Sequence, residues 1–129
     1  MADGLTTVRS GHGPKETMDR LAAAVTGRAM AILARIDHAA AAAEVGMTLR
    51  PTELLVFGNP KAGTPLMQAD QTMGIDLPLK LLVWQDEEGV TWIGYNDPEW
   101  LATRHGLGGA PVLGVMAKAL AAIAAEAAG

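Results

Sequence analysis

Residues 79–96 read Leu79-Lys80-Leu81-Leu82-Val83-Trp84-Gln85-Asp86-Glu87-Glu88-Gly89-Val90-Thr91-Trp92-Ile93-Gly94-Tyr95-Asn96. Two runs rich in β-branched, aromatic and leucine residues, Leu79 to Gln85 and Val90 to Asn96, flank the polar Asp86-Glu87-Glu88-Gly89 segment, which is the signature of a β-hairpin. A hairpin pairs its strands antiparallel, so the sheet that holds it is not wholly parallel. The economical solution is an α+β layer: a mixed or mainly antiparallel sheet of about five strands, with helices packed mainly on one face.

Upstream, Thr52 to Gly58 places Leu55 and Phe57 on one face and Leu54 and Val56 on the other, the pattern of a central strand covered on both sides. Asn59-Pro60 and Thr64-Pro65 follow as two successive cap-and-proline starts for a helix through Leu66-Met67-Gln68-Ala69. Nearer the start, Leu5 to Ser10 reads as a first strand and Gly11-His12-Gly13 as a turn. A helix from Pro14 then carries Met18, Leu21, Ala22 and Val25 at helical spacing, with Gly27 to end it. Met30 to Asp37 reads as a strand with Met30, Ile32, Ala34 and Ile36 on one face and Leu33 and Arg35 on the other. Asp37 caps a short helix, His38 to Val45, closed by Gly46.

Downstream of the hairpin, Asn96-Asp97-Pro98 opens a helix ending near His105-Gly106. Pro111 opens a last one, with Leu113, Met116, Leu120 and Ile123 on one stripe. The order is βαβαβαββαα. Nothing in it is long enough to act as a linker, so residues 1–129 are expected to form a single domain.

Composition narrows the function classes. Half of the residues are apolar and 19% are charged, as in a globular chain. A net charge of -4, with ten scattered Lys and Arg residues, offers no footprint for a phosphate backbone, so no nucleic acid is expected. The absence of cysteine removes disulfides, thiolate nucleophiles and thiolate metal sites. Met1-Ala2-Asp3-Gly4 has no basic region followed by an apolar run, and the apolar stretch Val112 to Ala117 stops at Lys118, short of the roughly 20 residues that span a bilayer. A cytoplasmic protein without a membrane segment is the expectation.

Five ordered blocks carry a resemblance: Arg35-Ile36-Asp37-His38, Leu49-Arg50-Pro51-Thr52-Glu53-Leu54, Phe57-Gly58-Asn59-Pro60-Lys61, Asp76-Leu77-Pro78-Leu79-Lys80 and Tyr95-Asn96-Asp97-Pro98. On these, nearly the whole chain resembles the bacterial domain-of-unknown-function family 302. The resemblance implies an antiparallel sheet with helices packed on it, similar in outline to TATA-binding-protein-like folds. It implies no chemistry, and shared architecture does not bring DNA binding with it.

Candidate sites cluster at strand exits. Gly58-Asn59-Pro60-Lys61 sits at a strand-to-helix junction, where free backbone N–H groups, Lys61 and also Arg50 would hold a small anion. The same residues equally well only cap and start a helix. Asp37-His38 invites acid-base chemistry, but within a strand their side chains point to opposite faces, and Asp37 also suits a cap. His12, His38 and His105 lack metal-ligand spacing, and no dinucleotide fingerprint or P-loop occurs, so neither metal nor cofactor is expected. Ser10 is the only serine and stands in no nucleophile elbow.

Trp84, Trp92, Trp100, Phe57 and Tyr95 read as core or interface anchors. The second apolar face of the Thr52 strand then implies burial by a second copy of the chain. The first reading is a homodimeric cytoplasmic protein binding an anionic small molecule near Asn59, Lys61 and Arg50. The alternatives are a small enzyme using His38 or Asp37, and a structural subunit that recruits another protein.

Overall fold

In the computed structural model, which describes residues 2–129, the chain runs β1 (Leu5–Ser10), α1 (Pro14–Gly27), β2 (Ala31–Asp37), α2 (His38–Glu44), β3 (Thr52–Gly58), α3 (Pro60–Ala69), a 3-10 helix (Gln71–Ile75), β4 (Leu79–Gln85), β5 (Thr91–Asn96), α4 (Pro98–Thr103) and α5 (Pro111–Ala128). The strands form one sheet in the order β1-β5-β4-β3-β2, antiparallel at every junction. The α+β class follows, with the sheet wholly antiparallel rather than mixed.

The hairpin is set by Asp86. Its Oδ1 accepts from the backbone N–H groups of Glu88 and Val90, its Oδ2 accepts from the indole N–H of Trp92, and Gly89 takes the positive φ of 79° that closes the turn. Alternate residues Leu55, Phe57, Leu81, Val83, Ile93 and Tyr95 project to one face, where they pack on Met18, Leu21 and Val25 of α1 and Leu120, Ile123 and Ala127 of α5. Each large side chain so buried contributes about 1.5–3 kcal/mol. At the end of the sheet, Leu66, Met73, Leu101, Leu113 and Met116 form a second cluster that fastens α3, the 3-10 helix and α4 to the start of α5.

Several local expectations shift. Asn59-Pro60 starts α3, and Thr64-Pro65 lies inside it. The 3-10 helix has no apolar periodicity and was not foreseen, and α4 stops at Thr103. A bulge between Ile32 and Ala34 breaks the single face read for β2: Ile32 pairs with Phe57 on the core side, whereas Ala34 and Ile36 pair with Val56 and Leu54 on the other. α1 is closed not by Gly27 but by Ala29, at φ 58°.

On the far side of the sheet, Leu54, Val56, Leu82, Trp84 and Trp92 are only half-buried, so β3 is not fully covered on its second face. Helix α5 runs on past Lys118 and is, by length and composition, apolar enough to cross a membrane. Its stripe Leu113, Met116, Leu120 and Ile123 is buried in the two clusters, and a core helix acquires the same composition.

Candidate functional site

Beyond the C-terminal end of β3, the sheet, α3 and α5 diverge and leave a cavity of about 560 Å³. The volume lies within the range of small-molecule sites. Met30 and Leu33 of the β2 strand region, Leu77 and Leu79 around β4, Met67 of α3, and Val115 and Met116 of α5 form its apolar walls. Gly58, Pro60 and Gly63 also line it; a side chain at Gly63 would meet Leu77 Cδ1 at 3.5 Å and Met67 Cε at 3.9 Å, so glycine there keeps space open. Methionine adapts its shape to an irregular ligand better than branched residues do.

Polar groups stand among these walls at Arg28, Asn59 and Thr64. Arg28 uses Nη1 on the Glu126 carboxylate at 2.7 Å and on the Ala24 carbonyl at 3.5 Å; among the described residues its Nε and Nη2 have no hydrogen-bond partner. Arg28, an exposed residue of the lining already paired with Glu126, brings a positive charge to an otherwise apolar hole, a combination suited to a ligand with an apolar body and an anionic end.

Of the residues expected at the anion site, Asn59 lines this cavity, and its Oδ1 accepts the backbone N–H of Lys61 at 3.0 Å as the cap of α3. The Lys61 residue is exposed and is not among the cavity-lining residues. Arg50 precedes β3 while Asn59 follows it, so a strand's length of about 20 Å separates them. Arg50 instead borders a polar recess of about 350 Å³ with Trp84 and Asp86, its Nη2 lying 3.8 Å from Glu87.

The Asp37 carboxylate accepts the Ala40 N–H at 2.9 Å as the cap of α2, and His38 beside it is exposed. Ser10 is buried, bonded to Thr17 Oγ1 at 2.7 Å. Among the described residues, no three His, Asp or Glu side chains converge in a metal-holding group.

Two of the histidines find partners: His12 Nε2 lies 3.0 Å from the Gly129 oxygen and its Nδ1 3.4 Å from Glu16, while His105 joins a larger cluster. His105 Nε2 lies 2.6 Å from Asp76 Oδ2, and its Nδ1 lies 2.8 Å from Thr72 Oγ1. Arg104 Nη1 donates to both Asp76 oxygens at 3.3 Å, and Thr72 Oγ1 donates to Asp70 Oδ1 at 2.7 Å. Bonds from the Thr72 hydroxyl and backbone N–H hold the Asp70 carboxyl below its ordinary range, with the charge of His105 adding to the effect. No sequence signal marks this cluster. His105 is 29 residues from Asp76, and only the joining of α4 to the 3-10 helix brings them together.

An antiparallel sheet backed by two long helices, with an apolar cavity at its end, defines a small α+β domain. The chain belongs to the family described as "Domain of unknown function DUF302", whose sequence profile matches residues 6–124. A crystal structure of an uncharacterized conserved DUF302 protein from Bacillus stearothermophilus is similar at a TM-score of 0.85 and 25% identity, covering 98% of this chain and 99% of that one. Two curated relatives, each named fluoride-specific ion channel FluC 1, come from Brucella suis biovar 1 and Brucella abortus biovar 1. Each is 50% identical over 105 residues, which is 81% of this chain. The chain spans only 41% and 39% of the length of those two proteins.

Proposed function

We propose that the chain is a homodimeric cytoplasmic domain that binds a small amphipathic molecule, its apolar body in the cavity between β3, α3 and α5 and its anionic group at Arg28. The cavity carries this reading: about 560 Å³ lined mainly by apolar residues, with Arg28 among the few polar ones. The earlier expectation of an anion at Asn59, Lys61 and Arg50 is thereby narrowed. Asn59 remains as a lining residue, Arg28 takes the charge, and Arg50 lies too far away.

Anilinonaphthalene sulfonate has the proposed chemistry and brightens in apolar surroundings. Saturable binding is expected, abolished by Gly63→Leu, which fills the cavity, and weakened by Arg28→Gln. Binding untouched by either substitution would refute the reading.

The likeness to part of two proteins named as fluoride channels favours a second reading, in which this domain recruits or regulates an ion channel. Fluoride tolerance of cells, compared with and without the gene for this chain, tests it.

A further inference from the structure

Asp70, Thr72, Asp76 and His105 tie α4 to the 3-10 helix, and none of the four lines the cavity. Thr72 Oγ1 donates its single proton to Asp70 Oδ1 at 2.7 Å, and the same oxygen accepts the Thr72 backbone N–H at 2.9 Å. The hydroxyl oxygen therefore accepts from His105 Nδ1, 2.8 Å away. On the other side of the ring, both Asp76 oxygens accept from Arg104 Nη1 at 3.3 Å, as an ionised carboxylate does, and His105 Nε2 donates to Oδ2 at 2.6 Å. Two donating nitrogens make His105 an imidazolium.

The cluster stands directly behind two walls of the cavity. The His105 side chain is 8% exposed and that of Asp76 is 13% exposed, and Asp76 immediately precedes Leu77 and Pro78, which line the cavity. Gly74 of the 3-10 helix backs Met67, another lining residue: a Cβ at Gly74 would meet Met67 Sδ at 3.3 Å. Among the described residues, the charged groups bonded to the ring or to its partners are Asp70 and Asp76, at the two ends of the 3-10 helix, and Arg104, at the end of α4. With the ring charged, two cations face two carboxylates. With the ring neutral, the exposed Arg104 is the one cation left among them.

We propose that His105 is a pH-sensitive strut: protonated, it pins the 3-10 helix and Asp76 to α4 and so sets the Leu77 and Met67 walls of the cavity; deprotonated, it releases them. As a regulator of ligand binding it rests on the function proposed above; as a strut it does not. A neutral ring keeps one N–H. If the proton stays on Nε2, Nδ1 turns a lone pair on the Thr72 oxygen, and the hydroxyl has to leave Asp70 to answer it. If it stays on Nδ1, a lone pair faces the Asp76 carboxylate. Either way a charge-assisted bond is lost. The bonds fit the charged ring, so the strut is intact at low pH and is lost as pH rises through the imidazole range.

Amide hydrogen exchange of residues 72–77 in the full chain without ligand, corrected for the intrinsic effect of pH and compared at about pH 5.5 and about pH 8.5, tests the strut. Protection is expected to fall about tenfold or more across that interval in the wild type, as for loss of one charged hydrogen bond. It is expected to be independent of pH in His105→Gln, whose amide donates to Asp76 and does not titrate. Thr72→Val, a surface change, removes the acceptor of Nδ1 and is expected to flatten the profile too, so it decides the matter should His105→Gln fail to fold. Equal protection at both pH values in the wild type, or a fall of wild-type size in either variant, would overturn the proposal. Anilinonaphthalene sulfonate, titrated at the same two pH values, reads the cavity: several-fold weaker binding at the higher pH is expected in the wild type and no change in His105→Gln. Absence of binding at both pH values refutes the binding reading and leaves hydrogen exchange to judge the strut. Binding indifferent to pH while protection falls overturns the regulatory role.

Discussion

The backbone N–H of Met30 donates to the carbonyl of Val25 at 3.3 Å, and that of Ala29 donates to Thr26 at 3.1 Å. This pair of bonds closes α1 as a Schellman motif, and it forces Ala29 to φ 58°. The corresponding position after α2 is Gly46, at φ 75°.

Alanine in the left-handed region is strained by about 1–2 kcal/mol, and glycine at the same place gives back about 0.4–1 kcal/mol of that through its more disordered unfolded chain. Ala29→Gly is therefore expected to stabilise the protein by several tenths to about 1 kcal/mol. Urea denaturation checks the sign, and a lower midpoint for the variant would contradict it.

Across the hairpin, Gly94 lies under the ring of Trp84. A Cβ at position 94 would meet Trp84 Cζ3 at 2.8 Å and Leu5 Cδ1 at 3.5 Å. Gly94→Ala therefore has to displace the indole from the sheet, and overpacking of this kind costs about 1–3 kcal/mol. Thermal unfolding together with a blue-to-red change in tryptophan emission is the expected readout.

How far the sequence foretold this architecture varies with the kind of signal. Asp86 and Gly89 determine the hairpin within a few residues of themselves, and Asn59, Asp37 and Asp97 cap their helices with their own side chains, so all four features were legible. Ala29 was not, because its conformation is imposed by the Met30 bond and not preferred by alanine. Nor was the β2 bulge, which exists to match the Phe57 and Val56 positions on the neighbouring strand. Of the cavity, only the turn Gly58-Asn59-Pro60 was legible as a candidate site, since the other walls come from separate elements, β2, α3, β4 and α5. The Thr72 and His105 pairing depends wholly on how α4 docks.

Acid should loosen the hairpin first at Asp86. Its carboxyl is held below the ordinary value chiefly by the Trp92 indole N–H, with the Val90 and Glu88 backbone N–H groups adding to it. A depressed folded-state value means that the stabilisation is fully present above the unfolded carboxyl value, near 3.8, and is lost as pH falls through the lower folded value. Asp86→Asn is thus expected to flatten the fall in melting temperature as pH drops below the unfolded carboxyl value near 3.8. An equally steep fall in the variant would show that Asp86 contributes nothing to it.

The proposed homodimer would use the half-buried side of the sheet, where Leu54 pairs with Leu82, and Trp84 with Trp92. Ile36, on the same side at the β2 edge, is 41% exposed. A second copy laid face to face would remove these groups from water, at roughly 25 cal/mol for each square ångström of apolar area. Light scattering is expected to give twice the 13.4 kDa chain mass for the wild type. Leu82→Glu sets a charge in that face without entering the α1 and α5 core, so the variant should scatter as a folded monomer. A monomeric wild type at micromolar concentration would refute the assembly while leaving the cavity and its ligand untouched.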